Sequence, residues 1–219
     1  MARDLATPRR GVPLPRALKR VYRAWLVRSY RDYYYLLGPW QRTTWRGVPV
    51  KEAPEDLIVL AQVIHETRPE VIIETGTFYG GSAFYFADLG PGVISIDIDH
   101  SPVLEAVREN PKITLVTADS QDPATHARVR DLVAGRRAML FIDAEHTYES
   151  VMAELNGLAD LVSPGCYAVI ADTIIGGPLR AAREFVALRP DFEADRSREY
   201  QMLTIFAEGW LRRTSVTEG

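Results

Sequence analysis

The sequence predicts an α/β protein of the Rossmann-like kind, an open and mostly parallel sheet with helices on both faces. Three observations predict it. Short apolar runs rich in β-branched residues alternate five times with helical patterns, which requires parallel strands joined by crossovers. The chain has 219 residues, 47% hydrophobic and 25% charged, enough for one domain with a substantial core. Polar, chemistry-bearing residues gather directly after residues 75, 97, 117, 142 and 171, where strands end and such sheets bind ligands.

The elements follow in order. Residues 1–15 contain Pro8, Pro13 and Pro15 and read as a loose leader. Over 16–37, Leu18, Val21, Tyr22, Trp25, Tyr33, Leu36 and Leu37 recur at three- and four-residue steps, a helix that Gly38-Pro39 stops. This makes residues 1–39 a basic helical arm and 40–219 the main domain. A loop over 40–54 holds Trp45, Gly47 and Pro49. Strands are then expected at 71–75, 93–97, 113–117, 138–142 and 167–171. Helices are expected at 54–68, 81–89, 102–110, 123–134, 148–161 and 179–188. Two further extended runs, 191–195 and 201–207, close the chain.

Composition narrows the function classes. The single cysteine, Cys166, excludes an intrachain disulfide and a cysteine-based zinc site, and fits a reducing cytoplasm. No apolar run reaches the roughly 18 residues of a membrane span, and the N-terminus lacks the apolar core of a signal peptide, so it is read as retained. Net charge is −3, yet residues 1–46 carry eleven Arg/Lys against Asp4 and Asp32, a balance of +9 that leaves −12 on the remainder. No nucleic-acid motif accompanies the basic arm. It is read as packing on the acidic body or on a second subunit.

The strand ends carry the chemistry. After 71–75 comes Glu74-Thr75-Gly76-Thr77-Phe78-Tyr79-Gly80-Gly81-Ser82. Both the dinucleotide fingerprint G-x-G-x-x-G and the P-loop are absent. The E-x-G-x-x-x-G form is the turn used around the methionine part of S-adenosylmethionine, with a tight, closely packed turn as the plainer reading. Asp97, 23 residues beyond Glu74, is placed to accept the ribose hydroxyls of a nucleoside, the analogous spacing being about 20. Asp99 is read as a solvated loop acid. Asp119, Ser120 and Gln121 can bond an adenine edge, or the segment can serve as the start of the next helix, with Asp122 its N-cap.

Asp143 and Asp172 fall on adjacent loops, and two such oxygen ligands suit Mg²⁺. His146 shares the first of these loops and can take a proton from a substrate hydroxyl. His65, His100 and His126 are read as ordinary residues, His100 at the pocket rim.

Together these residues resemble the cephalosporin hydroxylase/rhamnosyl O-methyltransferase family of tailoring enzymes. The segments TTWRGVPVKEAPEDL (43–57), IIETGTFYGGSA (72–83), ISIDIDH (94–100), FIDAEHTYE (141–149), ADTIIGGP (171–178) and FAEGWLRR (206–213) carry the likeness. Residues 118–122, ADSQD, also look like the adenine-side segment of catechol O-methyltransferases. The resemblance implies a class I methyltransferase fold, a seven-stranded sheet with the last strand antiparallel. It implies S-adenosylmethionine held by Glu74, Gly76, Gly80, Ser82, Asp97, Asp119, Ser120, Gln121 and Asp143, a Mg²⁺ site led by Asp143 and Asp172, and His146 as general base.

One position departs from the family. Relatives carry an acidic pair where this chain has Ala171-Asp172, so either Thr173, a backbone carbonyl or water completes a weaker metal site, or the metal is gone and His146 has only its own basicity. The implied function is O-methylation of a hydroxyl on a sugar or on a polyketide or peptide natural product, by a homo-oligomer. The acceptor pocket would be lined by the 40–54 loop, the loop after Asp172, Phe78 and Tyr79. The alternative is a non-methylating, hydroxylase-associated protein on the same fold.

Overall fold

The computed structural model describes residues 15–214. The proline-containing leader therefore lies almost wholly outside the described residues. The chain divides into two compact units, Met1–Pro39 and Trp40–Gly219.

The first unit is built on helix α1 (Arg16–Leu36). Its apolar side chains Leu18, Val21, Tyr22, Trp25, Tyr33 and Leu36 are exposed. Among the described residues no helix is long and apolar enough to cross a membrane.

The second unit opens with a small hairpin, β1 (Thr44–Trp45) and β2 (Val48–Pro49). Helix α2 (Pro54–Thr67) follows, with Pro54 at its first position, where a missing N–H costs nothing. Then β3 (Val71–Thr75), α3 (Gly81–Leu89), β4 (Gly92–Asp97), α4 (Glu105–Arg108), β5 (Ile113–Thr117), α5 (Pro123–Val133), β6 (Ala138–Ile142), α6 (Tyr148–Leu158), β7 (Tyr167–Ile170), α7 (Gly177–Leu188), β8 (Phe192–Ala194) and β9 (Trp210–Arg213) complete it. The seven-stranded sheet has the order β5-β4-β3-β6-β7-β9-β8. Every pairing from β5 to β7 is parallel, and β9 runs antiparallel to both its neighbours.

Strands β3 and β6 lie at the centre and every residue of both is buried, which is why they read as unbroken apolar runs rather than alternating ones. The main core packs these strands against α5, α6 and α7 through Val129, Val133, Val151, Leu155, Leu158, Ala181 and Phe185.

Three expectations are corrected. The helix expected over 102–110 is a single turn, Glu105–Arg108, because Pro102 lies inside a turn that runs from His100 to Val103, closed by Val103 N–H on the His100 carbonyl at 3.1 Å. The hairpin inside the 40–54 loop was not expected, being two residues per strand. Residues 201–207 are not a strand. Their apolar members Leu203, Ile205 and Phe206 are buried, but the Ile205 N–H donates to the Asp56 carboxylate (2.8 Å) instead of to a ladder. The closing strand lies later, at Trp210–Arg213.

The ladder continues one residue beyond the strands. Asp143 N–H donates to the Thr75 carbonyl (3.0 Å), Ala171 N–H to Ile142 (2.9 Å), Gly76 N–H to Ile96 (2.8 Å) and Ala118 N–H to Asp97 (2.9 Å). The loops after five strands thus start side by side on one edge of the sheet. That alignment fixes where a ligand can bind.

Candidate functional site at the carboxyl edge of the sheet

A cavity of about 510 Å³ opens along this edge, within the range of small-molecule sites. Gly76, Thr77, Phe78, Tyr79, Gly81 and Ser82 form one wall, Asp97 and the 119–121 segment another, and Asp143, His146 and Asp172 the far end. Pro49, Lys51, Glu52 and Ile205 close it from the hairpin and the C-terminal segment.

The wall after β3 is held by close approach. A Cβ on Gly76, whose φ is +86°, would lie 2.1 Å from the Asp143 carbonyl oxygen, so only glycine lets the β3 and β6 loops meet. Asp97 fixes the same turn from β4. Its Oδ2 accepts the N–H groups of Thr77 (2.8 Å) and Phe78 (3.1 Å), and Oδ1 accepts that of Asp99 (3.1 Å). Phe78 sits at φ +47° with its ring half exposed over the cavity, a conformation that a non-glycine residue holds only under constraint.

Glu74 is fully buried beneath this turn. It takes hydrogen bonds from Ser82 and Ser95, and burial pushes its carboxyl up to about 7. Gly80 does not face the cavity; a Cβ there would meet the Val107 side chain at 2.6 Å, so its role is helix packing. His100 is not at the rim. It is buried under the loop, bridging Thr77 Oγ1 (3.0 Å) and Thr117 Oγ1 (2.8 Å), and burial holds its pKa below the usual range.

In the 119–121 segment both expected roles coexist. Asp122 caps α5, accepting the Ala124 N–H at 2.8 Å, which leaves Asp119, Ser120 and Gln121 on the cavity wall. Ser120 Oγ donates to buried Glu154 (2.5 Å), and His126 Nε2 meets the Ser120 carbonyl at 2.7 Å. Gly157 makes room for that imidazole, since a Cβ there would lie 2.0 Å from the ring.

At the far end, ligand atoms of Asp143, His146 and Asp172 all lie within 4.8 Å of one another. His146 Nε2 is 3.3 Å from Asp172 Oδ2. Asp172 adopts φ +50°, an αL conformation for a non-glycine residue at the mouth of the site. Burial raises its carboxyl, opposed by the His146 charge, while burial and then the charge of Asp172 raise that of Asp143. Thr173 is turned away: fully buried, it donates its hydroxyl to the Ile205 carbonyl at 3.2 Å.

Glu52 is the residue that sequence reasoning did not single out. It is 3% exposed, lines the cavity and hydrogen-bonds to Asp143 through side chains. Its only sequence signal is an acid just ahead of a helix, where an acid ordinarily complements the helix dipole.

The model of the rhamnosyl O-methyltransferase/CmcI family matches residues 38–214. The chain belongs to this family. Rhamnosyl O-methyltransferase of Mycobacterium tuberculosis (strain ATCC 25618 / H37Rv) is 30% identical over 160 residues, 69% of this chain and 65% of that protein. The match to its Mycobacterium tuberculosis relative therefore spans somewhat less than two thirds of that protein's length. Rhamnosyl O-methyltransferase of Mycobacterium leprae (strain TN) is 29% identical over 208 residues, 86% of this chain and 90% of that protein. A solved structure of CmcI with Mg and SAM superposes with a TM-score of 0.66 at 25% identity, covering 80% of this chain and 78% of that one. The sheet is accordingly of the class I methyltransferase type, and the family match includes the hairpin, all seven sheet strands and each strand-end loop described above.

Proposed function

We propose that this protein is an S-adenosylmethionine-dependent, Mg²⁺-assisted O-methyltransferase acting on a hydroxyl of a sugar or natural-product small molecule. The observation that carries the reading is the joining of two half-sites in one cavity. A glycine turn pinned by Asp97 lies at one end and the Asp143–His146–Asp172 group at the other. The names of the mycobacterial relatives and the Mg and SAM of the CmcI structure support it.

The residues present fit both groups. The Gly76 cradle, which a Cβ would fill, and Ser82, Asp119, Ser120 and Gln121 on the same walls would hold the nucleoside and methionine parts, with Asp97 on the ribose. Asp143 and Asp172 are hard oxygen donors close enough to share one divalent cation, with water completing its shell. When bound, the two groups supply an activated methyl and a Lewis acid that acidifies a coordinated hydroxyl.

This chain's own work is positioning and proton transfer. The Phe78 and Tyr79 rings and the Pro49–Lys51 edge orient the acceptor, and holding it in line supplies most of the acceleration. His146 takes the hydroxyl proton on Nε2, and Asp172 beside it stabilises the imidazolium that results. The acceptor is read as a sugar hydroxyl such as that of a rhamnosyl group. The exposed apolar stripe of α1 supports a homo-oligomer, and the single, buried, unpaired cysteine fits a cytoplasmic setting.

Calorimetric titration with S-adenosylhomocysteine, in Mg²⁺ and again in EDTA, tests the pocket. Micromolar binding is expected, and its absence under both conditions overturns the reading. With rhamnosyl acceptors, His146→Ala is expected to keep that binding and lose about 10²–10⁴-fold in turnover; an undiminished rate would remove His146 from the role of base.

A further inference from the structure

We propose that Glu154, on α6, is a positioning residue that sets which base the cavity takes. By engaging the Ser120 hydroxyl proton it leaves Ser120 only lone pairs to offer, so the wall selects a purine with an exocyclic amino group over one with an oxo group. The proposal rests on the reading of the 119–121 segment as the nucleoside wall.

Three features of this chain lead to it. The first is that Ser120 is gripped from behind at two polar groups. Its Oγ lies 2.5 Å from Glu154 Oε1, and its carbonyl oxygen 2.7 Å from His126 Nε2. Both partners are buried, Glu154 completely. A carbonyl only accepts, so Nε2 is the protonated nitrogen of His126. Helix α6 serves both grips: it carries Glu154, and at Gly157 it leaves the space that the imidazole fills, since a Cβ there would lie 2.0 Å from the ring.

The second is polarity. An ionised carboxylate has no proton to give, and Ser120 has one. A buried carboxylate that loses its donor is costly, so the hydroxyl stays turned towards Glu154 when a ligand arrives. What Ser120 then shows the cavity it lines is an acceptor. The third is agreement among its neighbours. Asp119 Oδ1 accepts the Gln121 backbone N–H at 2.8 Å, and its other oxygen is again an acceptor. The Gln121 side-chain amide turns its N–H to the Glu145 carboxylate at 3.4 Å. An amino group supplies the donors that such a wall lacks. An oxo group sets lone pairs against lone pairs and leaves both sides unpaired.

The test is calorimetry of the full chain in EDTA, comparing S-adenosylhomocysteine with S-inosylhomocysteine, in which an oxo group replaces the amino group. It is run at about pH 8, above the value of about 7 to which burial lifts Glu154, so that the carboxylate is ionised. The unaltered protein is expected to bind the amino form at least about tenfold more tightly. Glu154→Leu frees the Ser120 proton, and the hydroxyl can then donate to the oxo group. It is expected to bring the ratio of the two affinities to about one, whereas Glu154→Gln, whose amide oxygen still accepts from Ser120, keeps the parent's ratio. A role in folding alone lowers both affinities together. An unchanged ratio in Glu154→Leu therefore refutes the proposal. Equal affinity of the unaltered protein for the two compounds also refutes it and leaves the S-adenosylmethionine reading intact, while binding of neither overturns both. Should Glu154→Leu fail to fold, Ser120→Ala decides: a ratio of about one supports the proposal, and the parent's ratio refutes it.

Discussion

Asp97 holds up the turn it is read as helping to use. Three backbone N–H groups converge on its two oxygens, those of Thr77 and Phe78 on Oδ2 and that of Asp99 on Oδ1. Its remaining acceptor capacity faces the cavity, where a ribose would lie. Asp97→Asn halves the acceptor sites and adds two donors beside backbone donors. Hydrogen bonds to charged groups are worth about 1.5–3 kcal/mol, so S-adenosylhomocysteine affinity is expected to fall about 10–100-fold in calorimetry, and wild-type affinity would refute the ribose role. Much of the site was legible at this scale. Asp97, Asp143, His146 and Asp172 were readable as candidates because each ends or follows a strand, and the strand ends align across the sheet. Gly80 and Thr173 were legible as neighbours of the site but not as residues turned away from it, because sequence position does not say that Val107 packs on one or that Ile205 accepts from the other. Glu52 was not legible at all. Its contact with Asp143 crosses 91 residues and depends on how the hairpin docks.

At the scale of elements, the central strands declared themselves and the edges did not. β3 and β6 begin and end where the apolar, β-branched pattern places them, since burial on both faces leaves no other composition workable. β9 is only four residues, Trp210-Leu211-Arg212-Arg213, and half of it is arginine. Arg213 turns to Asp191 (3.2 Å) and to the Asp160 and Val162 carbonyls, so a charged strand is satisfied by partners distant in sequence. The apolar run at 201–207, by contrast, buries its side chains as an irregular crossing that brings Ile205 to the cavity. The element most exposed to a single change is the hairpin. Its contact with α3 requires a bare backbone at Gly81, where an added methyl would overlap Pro49. Gly81→Ala is expected to lower stability by about 1–3 kcal/mol, the usual cost of overpacking, despite alanine's better helix propensity. Thermal unfolding checks this, and a stabilised variant would show that the hairpin is not seated on α3.

At the scale of the whole molecule, the sheet's edge concentrates acids that the interior does not neutralise. Glu74, Glu154 and Asp56 are each buried, each pushed by burial up to about 7, and each stands on a different element facing the same edge. The sign of the consequence is fixed. A carboxyl whose pKa is higher folded than unfolded binds more protons in the folded state, so stability falls as pH rises from the unfolded value, near 4.5 for glutamate, to the folded value near 7, and levels off above it. At about 1.4 kcal/mol per unit, Glu154 alone accounts for a fall of about 3 kcal/mol across that window. Its substitution is the informative one. Glu154 lies on α6, outside the Asp143–His146–Asp172 group, and its bond to Ser120 can be kept by an amide. In EDTA, the Tm of the unaltered protein is expected to drop between pH 5 and 7, and Glu154→Gln to flatten that drop, so that the variant gains on the parent as pH rises. Parallel Tm curves for the two would mean that Glu154 is already ionised when folded. The fold would then have to hold a negative charge beside Ser120, with the Ser120 hydroxyl its donor.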